Sequence, residues 1–160
     1  MPYDRGLLGH SDGDALAHAA IDALLGACGL GDIGRHFPPG DPAYRDADSM
    51  ALLRTAVALA HRAGWRAHNL DATVVCERPR LAPFLPAMAT TLASALEIPP
   101  GNVNIKAKTN EGLDAVGRGE AIAVQAVILI VAVATPPAGR RVPAQEGESV
   151  GVPHTASDQV

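Results

Sequence analysis

The sequence predicts an α+β domain, helices layered against a β-sheet, and three observations predict it. Stretches with apolar residues at helical spacing are interleaved with short β-branched runs in the order helix, helix, strand, helix, strand, strand. At 160 residues, 48% of them apolar, the chain is long enough for one real core and too short for several domains. Aromatic residues make up only 3%, so Ala, Leu, Val and Ile must fill that core in close helix–sheet contact.

Each element has a local reason. Ser11 and Asp12 carry side-chain oxygens that can cap a helix over 14–25, whose apolar face holds Leu16, Ala20, Ile21, Leu24 and Leu25. A long run of turn formers follows, from Gly31-Asp32-Ile33-Gly34 through Phe37-Pro38-Pro39-Gly40-Asp41-Pro42, and loops of that length are usually functional. Asp48 or Ser49 can cap a second helix, with Leu52, Leu53, Val57, Leu59 and Ala60 at helical spacing and Gly64 as its left-handed stop. Residues 70–76 read as a strand, and a proline-started helix runs from Ala82 or Pro83 to Leu96. Residues 103–107 read as a short strand and 108–119 as a glycine-punctuated loop. The last strand, over 121–133, has almost no polar alternation, so helices or another subunit must cover both its faces. Residues 135–160, rich in proline and without apolar period, are expected to form a disordered tail.

Composition excludes several classes of function. The net charge is −4 and the chain has two lysines, Lys106 and Lys108, so no footprint for DNA or RNA is expected. The apolar stretch 121–134 is interrupted by Gln125 and is shorter than the ~18 residues of a membrane span. Cys28 and Cys76 form no Cys-x-x-Cys pair, and no signal peptide is visible, so a reducing, cytoplasmic setting is expected with both thiols buried.

Three segments carry chemistry. In Gly9-His10-Ser11-Asp12-Gly13-Asp14-Ala15-Leu16-Ala17-His18, the spacing puts Asp14, His18 and Asp22 along one helix face. That face either offers an imidazole to a metal or pairs His18 with Asp14 or Asp22, and its helix entrance can receive phosphate. Lys106-Ala107-Lys108-Thr109-Asn110-Glu111-Gly112, followed by Gly117-Arg118-Gly119-Glu120, either surrounds a phosphate and its metal or is a charged turn. Asp32 in Gly31-Asp32-Ile33-Gly34 can accept from sugar hydroxyls, or simply close a turn. His36, His61, His68 and His154 read as surface or satisfied histidines.

Taken in order, these segments resemble the 2-C-methyl-D-erythritol 2,4-cyclodiphosphate synthase family. The matching pieces are Arg5-Gly-Leu-Leu-Gly-His10-Ser-Asp-Gly-Asp14, Ala17-His18-Ala, Asp22-Ala-Leu-Leu-Gly26, Gly31-Asp-Ile-Gly34, Phe37-Pro38, Asp48-Ser49, Lys106-Ala107 with Thr109 to Leu113, and Gly117-Arg-Gly-Glu120. The resemblance implies helices on one face of a mixed sheet, with the sheets facing the centre of a homotrimer and active sites at subunit boundaries. It implies a substrate, CDP-linked 2-C-methyl-D-erythritol 2-phosphate, whose 2-phosphate attacks the β-phosphate and expels CMP.

By the same resemblance, His18 is a zinc ligand, and Glu111 helps hold a magnesium or manganese ion on the diphosphate. His10 and Thr109 stabilise the transition state. Cys76, Glu77, Arg78, Pro79, Arg80, Leu81 and Ala82 line a cytosine pocket. Ser11, Asp32, Ile33, Gly34, Phe37, Pro38, Pro39, Gly40, Asp41, Lys108, Thr109, Asn110, Glu111, Ala115 and Arg118 complete the substrate contacts.

The chain also departs from the family pattern. The family carries Asp-x-His, its other two zinc ligands, on an opening strand; no such motif precedes His10. The expectation is a domain over 1–134 lacking its opening strand, either from a start placed too far downstream or as a truncated relative. Pro39 and Ala115 stand where an acidic and an aromatic residue are common. A weakly active or inactive trimer that binds nucleotide or isoprenoid ligands is the alternative function.

Overall fold

The computed structural model describes residues 3, 5–7 and 11–133. The expected tail over 135–160 therefore lies outside the described residues, as does His10. Helices α1 (Ala15–Ala27), α3 (Ser49–Arg62) and α4 (Leu85–Leu96) form one layer, and strands β1 (Trp65–Val75), β2 (Val103–Lys108) and β3 (Ala123–Ala132) form the other. The sheet order is β2-β1-β3, with β1 parallel to β2 and antiparallel to β3, so the sheet is mixed. Two four-residue helices, α2 (Ile33–His36) and α5 (Asp114–Gly117), sit in segments whose composition reads as loop.

Alternation explains which side of the sheet carries the helices. Ala67, Leu70, Ala72 and Val74 of β1 and Val103 and Ile105 of β2 are buried, as are Leu16, Ile21, Leu24 and Leu25 of α1 and Leu52, Leu53 and Val57 of α3. Full burial of a leucine such as Leu24 or Leu53 contributes roughly 1.5–3 kcal/mol before entropy is counted. Ala67 and Leu70 are three positions apart, which strict alternation forbids; a bulge between Ala67 and Asn69 restores the phase. Groups left unpaired by the bulge find side chains: Asn102 Nδ2 donates to the His68 carbonyl (2.7 Å), and Leu129 N–H donates to Asn69 Oδ1 (3.2 Å).

Several boundaries differ from expectation. The cap of α1 is Asp14, whose carboxylate accepts from Leu16 N and Ala17 N, because Ser11 meets the His18 ring and Asp12 accepts from Ser49 of α3 instead. Strand β1 begins at Trp65, where pairing with Ala132 of β3 extends it beyond its β-branched run. Proline at the start of the third helix gives a 3-10 turn, Ala82–Phe84, before α4 proper. Cys76 is buried, whereas Cys28 is only partly so. Strand β3 is half covered within the chain: Ile128 is buried under the helices, with Val124, Ala126 and Ile130 partly so. The opposite face leaves Val127 and Leu129 67% and 57% exposed.

Candidate active site

Parallel pairing of β1 and β2 brings the Lys106–Glu120 segment and the expected cytosine loop, Cys76 to Ala82, to one end of the sheet. The register ends at Val75 opposite Lys108, so the loops leaving both strands start side by side. Cys76 N–H donates to Lys108 O (2.8 Å), and Asn110 N–H donates to a Glu77 carboxylate oxygen (3.3 Å). The first loop, Cys76 to Ala82, is closed by the Cys76 thiol, which donates to Arg78 O at 2.9 Å, and contains a cis Arg78–Pro79 bond. Burial pushes the Cys76 thiol above its ordinary range. Leu81 is buried, while Arg78 and Arg80 are both open to solvent.

The second loop turns sharply after Lys108. Thr109 Oγ1 donates to Glu111 Oε1 (3.3 Å), and Glu111 has a positive φ of 52°. Asn110 Nδ2 donates to Leu113 O (3.0 Å). In α5, which carries Ala115, Asp114 Oδ1 accepts from Val116 N (2.7 Å) and Gly117 N (3.4 Å). The Val116 N–H, more than any other group, holds the Asp114 carboxyl below its ordinary value. Gly117 is required by contact: a Cβ there would collide with the Gly112 backbone. Arg118 Nη2 lies 2.9 Å from Glu120 Oε2, which raises the guanidinium's pKa and lowers the carboxyl's. Lys106 points elsewhere, its Nζ 2.6 Å from Asp71 on the helix-free face of the sheet.

The segment that carries His18 forms a separate cluster. His18 Nε2 lies 2.9 Å from Ser49 Oγ and 3.1 Å from Ser11 Oγ. Ser49 is fully buried, and both its N–H and its hydroxyl donate to the Asp12 carboxylate. Burial alone would push the Asp12 carboxyl up, but the Ser49 donors, the Asp14 N–H and the His18 ring hold it below its ordinary value. The expected pairing of His18 with Asp14 or Asp22 is thus replaced. Asp14 caps α1, and Asp22 Oδ1 accepts from Ile33 N (2.8 Å). A groove of about 450 Å³ links this region to the first loop, lined by Asp14, Leu16, Met50, Val74, Leu81 and Phe84.

The 31–41 segment is tied to α1 through that Asp22 bond. Asp32 Oδ1 caps α2 through Arg35 N (2.9 Å) and is exposed, as are Gly34, Pro38, Pro39 and Gly40. Phe37 faces the core at 8% exposure, edge-on to Tyr44, and Asp41 accepts from Ala43 N. Among the described residues, no hydrogen bond joins this segment or the His18 cluster to the Thr109 turn, and no three His, Cys, Asp or Glu side chains gather as a metal site. Asp48 and Ser49 both read as cap candidates from the sequence; Asp48 is the cap, and Ser49 is instead the partner of His18 and Asp12. A contact spanning 31 residues leaves no local pattern.

The α+β fold and its paired loops define a class. The model of the YgbB family matches residues 1–131, and the chain belongs to that family. It is 55% identical over 131 residues to the 2-C-methyl-D-erythritol 2,4-cyclodiphosphate synthase of Moorella thermoacetica, covering 82% of this chain and 80% of that one. The enzyme of the same name from Ralstonia pickettii is 58% identical over 130 residues, covering 81% and 77%. Among solved structures, the bifunctional IspDF of Campylobacter jejuni superposes with a TM-score of 0.76 at 41% identity, over 78% of this chain and 34% of that one. A CDP-bound 2C-methyl-D-erythritol-2,4-cyclodiphosphate synthase gives 0.75 at 37%, over 82% and 85%.

Proposed function

We propose that this chain acts as a 2-C-methyl-D-erythritol 2,4-cyclodiphosphate synthase, a phosphorus–oxygen lyase of non-mevalonate isoprenoid biosynthesis. The observation that carries the reading is 55–58% identity to synthases of that name over about four fifths of the chain. In the reaction, an oxygen of the substrate's 2-phosphate forms a bond to the β-phosphorus. The bond from that phosphorus to the bridging oxygen breaks, and its electron pair leaves with CMP. Little covalent chemistry falls to the protein, so positioning and charge stabilisation must supply the acceleration.

The residue roles follow the order of the segments. Cys76 to Ala82 hold the cytosine, mainly through backbone groups, while Lys108, Thr109 and Asn110 meet the diphosphate beside it; the Asn110–Glu77 bond supports their acting as one unit. His10 and Thr109 stabilise the transition state. Ser11, Asp32, Ile33, Gly34, Pro38, Pro39, Gly40, Asp41, Ala115 and Arg118 contact the rest of the substrate, with Phe37 anchoring its loop. Divalent cations belong to the reading, zinc with His18 as a ligand and magnesium or manganese held by Glu111, and such ions would neutralise phosphate charge. The described residues alone do not complete a zinc site, so every step is assigned to the chain's own donors. We further propose a cytoplasmic homotrimer whose sheets face inward. The exposed Val127 and Leu129 support that packing.

The test is direct. Purified chain supplied with the CDP-linked substrate and magnesium should release CMP and the cyclic diphosphate in equal amounts. Binding of CDP without CMP release would favour the non-catalytic alternative.

A further inference from the structure

An ionised carboxylate has no hydrogen to give, so Asp12 can only accept. Ser49 Oγ therefore commits its one hydrogen to Asp12 Oδ1, while the Ser49 N–H donates to Asp12 Oδ2 at 3.1 Å. With that hydrogen committed, the Ser49 hydroxyl meets His18 Nε2 at 2.9 Å as an acceptor, and Nε2 must carry a hydrogen. The Ser11 hydroxyl, 3.1 Å from the same nitrogen, is left as a second acceptor with its own hydrogen turned elsewhere. In a neutral ring the lone pair then sits on Nδ1.

We propose that Asp12 and Ser49 are positioning residues that lock His18 in its Nε2–H tautomer, so that Nδ1 is the nitrogen with which His18 meets a ligand. Their placement suits the task. Ser49 is the first residue of α3 and fully buried, so its hydroxyl is fixed by the helix start rather than by a mobile side chain. Asp12 is held in turn by its own N–H, which donates to Ala47 O at 3.3 Å just ahead of α3. Two turns of backbone thereby fix one imidazole. The link from tautomer to catalysis rests on the proposed function; the tautomer itself does not.

Long-range ¹H–¹⁵N correlation spectra of the full chain labelled at histidine nitrogens read the tautomer directly, at about pH 8, where an ordinary imidazole is neutral. His18 is identified by the signals lost in His18→Gln. The wild-type protein should show the Nε2–H pattern, and an Nδ1–H pattern would overturn the proposal. Asp12→Asn is the informative variant because it reverses the chain of donors. Its carbonyl oxygen stays opposite the Ser49 N–H, its amide nitrogen donates to Ser49 Oγ, and the serine hydrogen turns to Nε2. The ring should shift to Nδ1–H, and retention of Nε2–H would defeat the mechanism. In CMP-release assays kcat of Asp12→Asn should fall about tenfold or more with KM little changed, the size usual for a group that orients a ligand; an unchanged kcat would remove the positioning role. A wild-type chain that releases no CMP would overturn the function reading, while the spectra still decide the tautomer.

Discussion

Asp32 serves structure and chemistry at once, and one substitution separates the two. Its carboxylate caps α2 through Arg35 N and stands exposed toward solvent. Asparagine caps a helix about as well as aspartate, so Asp32→Asn should leave the melting temperature nearly unchanged. Its charge-assisted bond to a substrate hydroxyl would weaken, raising KM roughly tenfold. An unchanged KM would remove Asp32 from the substrate contacts. His18 and Glu111 can be distinguished in the same spirit, since they lie in different clusters with no bond between them. His18→Ala should lower the zinc content of the purified protein, whereas Glu111→Ala should keep zinc and weaken the response to magnesium or manganese. Elemental analysis and metal titration of activity check both; parallel losses in the two variants would contradict the assignment.

At the scale of elements, the start of α5 leans on one ionised group. The Asp114 carboxyl lies below its ordinary value of 3.8, mainly through the Val116 N–H. A lowered folded-state pKa contributes stability that is complete above the unfolded value and is lost as pH falls through the folded one. The Val116 amide resonance should therefore titrate with a midpoint below 3.8, and α5 should lose hydrogen-exchange protection there while α1 and α3 keep theirs. A Val116 resonance that ignores pH would rule this out. Legibility also differed by element. The second helix was readable to within one residue of its start, because Asp48 or Ser49 as cap and the leucine spacing are local signals that packing did not overrule. The start of β1 was not, because Trp65 to Ala67 are strand only by virtue of β3 beside them. Helices of four residues complete barely one turn, too short for any apolar period, so α2 and α5 were hidden within loop composition. The two loops of the site were legible as motifs. Their adjacency required knowing that β1 and β2 run parallel.

For the whole molecule, the bare face of the sheet decides whether one chain suffices. Val127 and Leu129 are among the most exposed large apolar side chains described, on a strand whose other face is packed. If this face is buried between protomers, replacing both residues by aspartate places charges in a dry interface. The trimer should then dissociate to monomers in sedimentation velocity while the helical signal in circular dichroism persists. A double variant that still sediments as the wild type would exclude this face from assembly. The scarcity of lysine has a practical corollary. Of the chain's two ε-amines, that of Lys106 is held 2.6 Å from Asp71, while Lys108 stands exposed where β2 enters the site. An amine-acylating reagent used sparingly should mark Lys108 ahead of Lys106, and peptide mass mapping would then turn that one adduct into a gauge of occupancy, fading as CDP shields the ammonium.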